Sequence, residues 1–242
     1  MEAYERIVLP LDVENAEKAI ELVQQLKSRV GVFKVGLELV IATGPSIFDQ
    51  IRAAGATKIF YDAKLHDIPN TVAGAMRGVC ALEAWCVTVH ALGGSEMMRQ
   101  AVEVSRQVPH RDGSITRVLA VTVLTSISEE ALTDELGVGK TVSDHVVHLA
   151  TLAKEAGCAG VIASPHEITA IRSAIPDPTF LIITPGVRPA GAASGDQARV
   201  MTPGEAIAKG ANYLVVGRPI TAAPKPIAAA QAISEEIKAA LG

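Results

Sequence analysis

Cysteine is scarce in this chain. Its 242 residues include three, Cys80, Cys86 and Cys158. An odd count without a Cys-x-x-Cys pair gives no basis for a disulfide framework or a zinc site. It predicts buried thiols in a reducing compartment. An excess of basic charge is also missing: 22 Lys and Arg stand against 26 Asp and Glu, a net charge of −4. Such a balance offers no general attraction for nucleic acid or an anionic membrane. No apolar run reaches the length that spans a bilayer. Residues 1–6 carry two acids and lack the apolar region of a secretory signal. The expectation is a cytoplasmic protein without nucleic-acid or membrane partners.

Apolar residues, by contrast, are plentiful at 49%, and charged ones make up 20%, which is ample material for a core. Eight short apolar runs, many β-branched, punctuate the chain at 7–11, 32–37, 58–65, 86–90, 118–124, 160–163, 180–184 and 213–217. Segments of helical periodicity lie between them. Ala16, Ala19, Ile20, Val23 and Leu26 mark one helical face, as do Val72, Ala75, Met76 and Val79, and then Met97, Met98, Ala101 and Val102. Gly44-Pro45-Ser46 predicts a helix start, with Gly55 closing it. Four further starts are predicted by Ser126-x-x-Glu129, Thr141-x-x-Asp144, Ser164-Pro165 and Thr202-Pro203. The last run is followed by an alanine-rich helix over 227–241.

Eight strand–helix units of roughly 30 residues each have the βα repeat. Strands apolar on both faces imply a parallel sheet covered on both sides. The predicted fold class is α/β, a (β/α)8 barrel, with residues 1–242 as a single catalytic domain. A doubly wound open sheet competes, but no Gly-x-Gly-x-x-Gly follows the first run.

In such a barrel the active site lies at the C-terminal ends of the strands. Unusual polar residues fall there: Asp12, Lys34, Asp62, Lys64, Asp67, Thr125, Arg188 and Gly217-Arg218. Asp62 and Lys64 are two apart, so a strand points both to one face. A lysine inside an apolar strand needs a carboxylate partner, which pairs Lys34 with Asp62 on the next strand. A structural ion-pair network plugging the barrel mouth is the competing reading. The recurrence of polar residues at several strand ends favours chemistry. Between carboxylates an ammonium is favoured over the free amine, which argues against Lys64 as a Schiff-base nucleophile. Such a lysine suits stabilisation of a developing carbanion followed by proton donation.

The loops after the seventh and eighth runs carry a second signal. Thr184-Pro185-Gly186-Val187-Arg188-Pro189 leads into the small, polar stretch 190–197, with the makings of a lid. Gly217-Arg218 offers a backbone N–H and a guanidinium where barrels of this type bind phosphate. His145 and His148, three apart on a predicted helix, read as a solvated face because no third ligand accompanies them.

Asp62-x-Lys64-x-x-Asp67-Ile68-Pro69-x-Thr71 resembles the signature of the orotidine 5′-phosphate decarboxylase family. The resemblance extends through Leu11-Asp12, Lys34-Val35-Gly36, Thr88-Val89-His90, Leu124-Thr125-Ser126, Pro185-Gly186-Val187-Arg188-Pro189, Gly195-Asp196-Gln197 and Val215-Val216-Gly217-Arg218-Pro219-Ile220. Ala63 departs from the larger aliphatic common there. The resemblance implies decarboxylation of orotidine 5′-monophosphate to uridine 5′-monophosphate in pyrimidine nucleotide biosynthesis, with no cofactor and no metal. It implies Lys64 as proton donor within a Lys34–Asp62–Lys64–Asp67 array. Asp12 and Lys34 would contact the ribose and Thr125 the pyrimidine, while Arg188, Gln197, Gly217 and Arg218 would hold the phosphate. It also implies a homodimer in which Asp67 and Thr71 serve the neighbouring subunit. The rival readings are a Mg²⁺-dependent sugar-phosphate decarboxylase or aldolase of the same superfamily, and a non-catalytic phosphate-ligand sensor.

Overall fold

All eight apolar runs become strands: β1 (Ile7–Pro10), β2 (Val32–Gly36), β3 (Ile59–Leu65), β4 (Cys86–His90), β5 (Arg117–Val121), β6 (Gly160–Ile162), β7 (Leu181–Pro185) and β8 (Tyr213–Val215). Each pairs in parallel with the next, and β8 pairs with β1, closing a barrel in chain order. The computed structural model describes residues 1–189 and 201–242. The helices around the barrel are α1 (Ala16–Leu26), α2 (Leu37–Thr43), α3 (Ile47–Ala53), α4 (Pro69–Ala81), α5 (Gly94–Gln107), α6 (Val142–Glu155), α7 (Ile168–Ala174), α8 (Pro203–Ala208), α9 (Arg218–Thr221) and α10 (Pro226–Leu241). None of the described helices is long and apolar enough to cross a membrane.

The period of two along each strand sorts its side chains between two cores. Ile7, Leu9, Phe33, Val35, Ile59, Ala63, Val87 and Val89 face outward and pack under the helices. Val8, Val32, Phe60, Cys86, Leu119, Ile183 and Tyr213 fill the barrel interior. Further along, the inward residues of β2, β3 and β4 turn polar within one step, and those following β1 do so after Pro10. Val8 gives way to Pro10 and Asp12, Val32 to Lys34, Phe60 to Asp62 and Lys64, and Cys86 to Thr88. The apolar plug thus ends where the polar mouth begins. All three cysteines are buried, and burial pushes the Cys158 thiol up to about 12, so it stays protonated.

Several helix starts differ from expectation. The Thr202 hydroxyl and Glu205 carboxylate form the full capping box of α8, and Thr141 caps α6 through the Asp144 N–H at 3.1 Å. Ser126 caps nothing; the Ser128 hydroxyl instead accepts from the Ala131 N–H at 3.1 Å and opens a single π-turn, Ala131–Glu135. Ser164-Pro165 makes a turn, closed by the Glu167 N–H on the Ser164 carbonyl, and α7 starts only at Ile168. Before Gly44 lies an unpredicted helix, α2, which Gly44 ends in the left-handed region at φ 74°. The helix expected from Gly44 therefore begins later, as α3. His145 is also a correction: α6 turns its ring inward, buried and stacked on His148, rather than toward solvent.

Candidate active site

At the C-terminal mouth, four charged side chains from three neighbouring strands converge. Lys34 on β2 sits 3.1 Å from Asp12 Oδ1, beyond β1, and 3.5 Å from Asp62 Oδ2 on β3. Lys64 Nζ donates to the same Asp62 Oδ2 at 2.7 Å. The side chains of Lys34 and Asp62 are 11% and 14% exposed, while those of Lys64 and Asp12 are 34% and 55% exposed. The inner pair thus anchors the array, and the outer two present charge to whatever enters. A Cβ at Gly36 would lie 3.3 Å from Lys34 Nζ and 3.4 Å from Asp12 Oδ1, so glycine there leaves the ion pair its space.

The electrostatics follow from that packing. Burial pushes the Asp62 carboxyl upward, but Lys34, Lys64 and the Thr88 hydroxyl together outweigh it and hold Asp62 below the ordinary aspartate value. Asp62 is therefore a fixed negative charge at neutral pH. Nearby, His90 stacks on His66 with ring centroids 5.3 Å apart. Burial, then the His66 and Lys64 charges, push the His90 imidazole down, keeping it neutral. His66 and His90 lie beside the array without bonding to it.

A cavity opens over these groups. Asp12, Lys34, Asp62, Lys64 and Thr125 all line it, with Pro10, Phe60, Val121, Ile162, Pro185 and Val215 as its apolar walls and Ser164 at its edge. A charged floor against apolar walls suits a planar, partly polar ligand and strengthens any charge interaction within. Arg188 lies after β7, its N–H on the Met201 carbonyl at 3.1 Å. Gly217 and the exposed Arg218 follow β8, where a Cβ on Gly217 would press against Pro10 at 2.9 Å. These three stand on the two loops next to the cavity rather than among its lining residues. Gln197 lies outside the described residues.

Asp67 and Thr71 are not brought to the array. Asp67 is exposed and accepts only its neighbouring Ile68 N–H, at 2.6 Å, among the described residues; Thr71 is exposed on the first turn of α4. Among the described residues no group of three or more His, Cys, Asp or Glu is placed to hold a metal ion. The sequence reading gave no role to Thr88 and Gly36. The signal for Thr88 was a hydroxyl on the inward face of an apolar strand, which needs the register of β3 to interpret.

The sequence model of the Orotidine 5'-phosphate decarboxylase / HUMPS family matches residues 5–233. The chain is 48% identical to the orotidine 5'-phosphate decarboxylase of Moorella thermoacetica over 98% of its length and 94% of that protein's. It is 49% identical to that of Syntrophomonas wolfei, over 98% and 100%. Its fold superposes on the crystal structure of orotidine 5'-phosphate decarboxylase from Lactobacillus acidophilus with a TM-score of 0.85 and 38% identity, covering 96% of this chain and 98% of that one. With the barrel, the charged mouth and this similarity together, the chain belongs to the orotidine 5′-phosphate decarboxylase / HUMPS family.

Proposed function

We propose that this chain is a carboxy-lyase that converts orotidine 5′-monophosphate to uridine 5′-monophosphate and CO2 in pyrimidine nucleotide biosynthesis. One observation carries the reading: Lys64 Nζ, 2.7 Å from the ionised Asp62, stands on the wall of a cavity whose remaining lining is mostly apolar. A substrate carboxylate directed at Asp62 is repelled, and its loss as CO2 relieves that repulsion. As the C6–carboxyl bond breaks, its electron pair stays on C6, next to the Lys64 ammonium. The ammonium stabilises the developing carbanion and transfers a proton to C6; solvent then reprotonates the amine. Lys34 holds Asp62 and Asp12 in place and, with Asp12, meets the ribose hydroxyls. Thr125 reads the pyrimidine edge. Arg188, Gln197, the Gly217 N–H and Arg218 take the phosphate, whose remote binding energy drives positioning.

The active assembly is a homodimer, with Asp67 and Thr71 completing the neighbouring subunit's site. Support comes from their exposure away from their own array and from the exposed apolar residues Leu37, Ile41, Ile68 and Leu92 on the rim beyond β2, β3 and β4. The three buried, unpaired thiols favour a cytoplasmic setting. Residues 1–242 act as one catalytic domain, without metal or organic cofactor.

The family's name also covers the HUMPS branch, whose sugar-phosphate chemistry needs Mg²⁺ to hold an enediolate. A substrate comparison separates the two. The purified protein should consume orotidine 5′-monophosphate, followed by loss of orotate absorbance, equally well with excess EDTA. Turnover of a hexulose phosphate that EDTA abolishes, with none of the nucleotide, would reassign the chain to the other branch. Binding of the nucleotide without turnover would make it a sensor.

A further inference from the structure

We propose that Thr88 is a positioning residue for this reaction, its hydroxyl locking the Asp62 carboxylate and the Lys64 backbone into one unit. The proposal rests on the reading of the site given above. Between the pairs Tyr61↔Val87 and Leu65↔Val89 the ladder of β3 and β4 slips, so that Asp62, Ala63 and Lys64 face Thr88 alone. A bulge of this kind leaves backbone groups without ladder partners. Within it Lys64 takes φ 48°, in the left-handed region that a side chain with a Cβ disfavours. Something must hold that conformation.

Thr88 supplies the missing bonds. Its Oγ1 accepts the Lys64 backbone N–H at 2.9 Å and donates to Asp62 Oδ1, also at 2.9 Å. The direction of the second bond is fixed because an ionised carboxylate only accepts. With Oδ1 held by Thr88, Asp62 turns Oδ2 toward Lys64 and Lys34. The same oxygen therefore sets the backbone that carries the ammonium and the carboxylate that aims it. Thr88 is fully buried, and its β-branched side chain is stiff at χ1, so the lock exists before substrate arrives. It touches neither the reacting atoms nor the open cavity lining, which makes its action indirect.

The test compares Thr88→Val, which keeps the shape and deletes the hydroxyl, with Thr88→Ser, which keeps the hydroxyl. Thr88→Val should lower kcat about ten- to a hundredfold, the loss expected for one hydrogen bond to a charged group, and leave KM within about threefold. Thr88→Ser should stay within about threefold of wild type in both. Wild-type kcat in Thr88→Val, or an equal loss in Thr88→Ser, overturns the proposal. If Thr88→Val does not fold, Thr88→Ala replaces it under the same criteria. Amide exchange at Lys64, read by NMR without substrate, is a second readout. Protection in wild type and Thr88→Ser but not in the hydroxyl-less variant supports the lock; equal protection in all three contradicts it. That measurement decides the lock even if wild type proves inactive on the nucleotide, a result that would sink the functional reading instead.

Discussion

At the scale of single residues, the arrangement of Asp62 and Lys64 was readable because the period of a strand is two. That rule placed both side chains on the inward face, and Lys34 was paired from the cost of leaving an ammonium unpartnered in an apolar strand. The route the chain takes was not readable. Lys64 reaches its place through a bulge and a left-handed backbone, which no local pattern in residues 59–65 announces. Thr88 and Gly36 stayed hidden for the same reason, since each matters only through what the neighbouring strand sets against it. Under the proposed mechanism Lys64→Ala removes the proton donor, and it should do so without disturbing the core, because the Lys64 side chain is a third exposed. The expected result is a fall in turnover of at least about 10³-fold with an unchanged circular dichroism spectrum. Turnover close to wild type in that variant removes Lys64 from the mechanism.

At the scale of elements, strands were more legible than helix starts. A run of β-branched residues has few alternative uses, whereas a Ser or Thr followed three residues later by an acid occurs in turns as well as caps. Thr202 and Thr141 cap helices; Ser126 and Ser164 do not, because their chains first close a turn. Close approach between strands is another feature invisible in sequence. A Cβ on Gly160 of β6 would lie 2.2 Å from the Leu181 carbonyl of β7. Gly160→Ala should therefore cost about 3 kcal/mol in urea unfolding, the upper range for overpacking. A change within about 0.5 kcal/mol would show that the two strands can part freely.

His145 on α6 gives a pH dependence at the same scale. Burial, then the charges of His148 and Lys140, push its imidazole below the ordinary histidine value, and its Nε2 is buried without a hydrogen-bond partner among the described residues. Folding thus favours the neutral ring. Its stabilising contribution is complete above the ordinary histidine value and is lost as the pH falls through the lowered one. Wild type should lose stability as the pH falls below the ordinary histidine value of about 6.5, and His145→Leu should lose less, measured by urea midpoints at successively lower pH. Parallel losses in the two proteins would mean that His145 titrates as an ordinary exposed histidine.

At the scale of the whole molecule, the barrel was legible from the count and spacing of the runs, and the closed order β1 to β8 agrees. The site was legible only in part, since one chain's fold gathers Asp12, Lys34, Asp62, Lys64 and Thr125 but leaves Asp67 and Thr71 outside. If a second copy supplies them, mixing Lys64→Ala with Asp67→Ala chains should restore activity. With free exchange half of the dimers are hybrids with one intact site each, so about a quarter of wild-type activity is expected. No recovery after exchange has been verified by mass spectrometry would rule out a shared site.

The decarboxylation itself is tested most directly by product stoichiometry. Purified wild type, given orotidine 5′-monophosphate in excess EDTA, should release CO2 and form uridine 5′-monophosphate in equal amounts, as measured by radiolabelled carboxyl and by chromatography. Recovery of unchanged nucleotide with no CO2 from the folded protein would contradict the account.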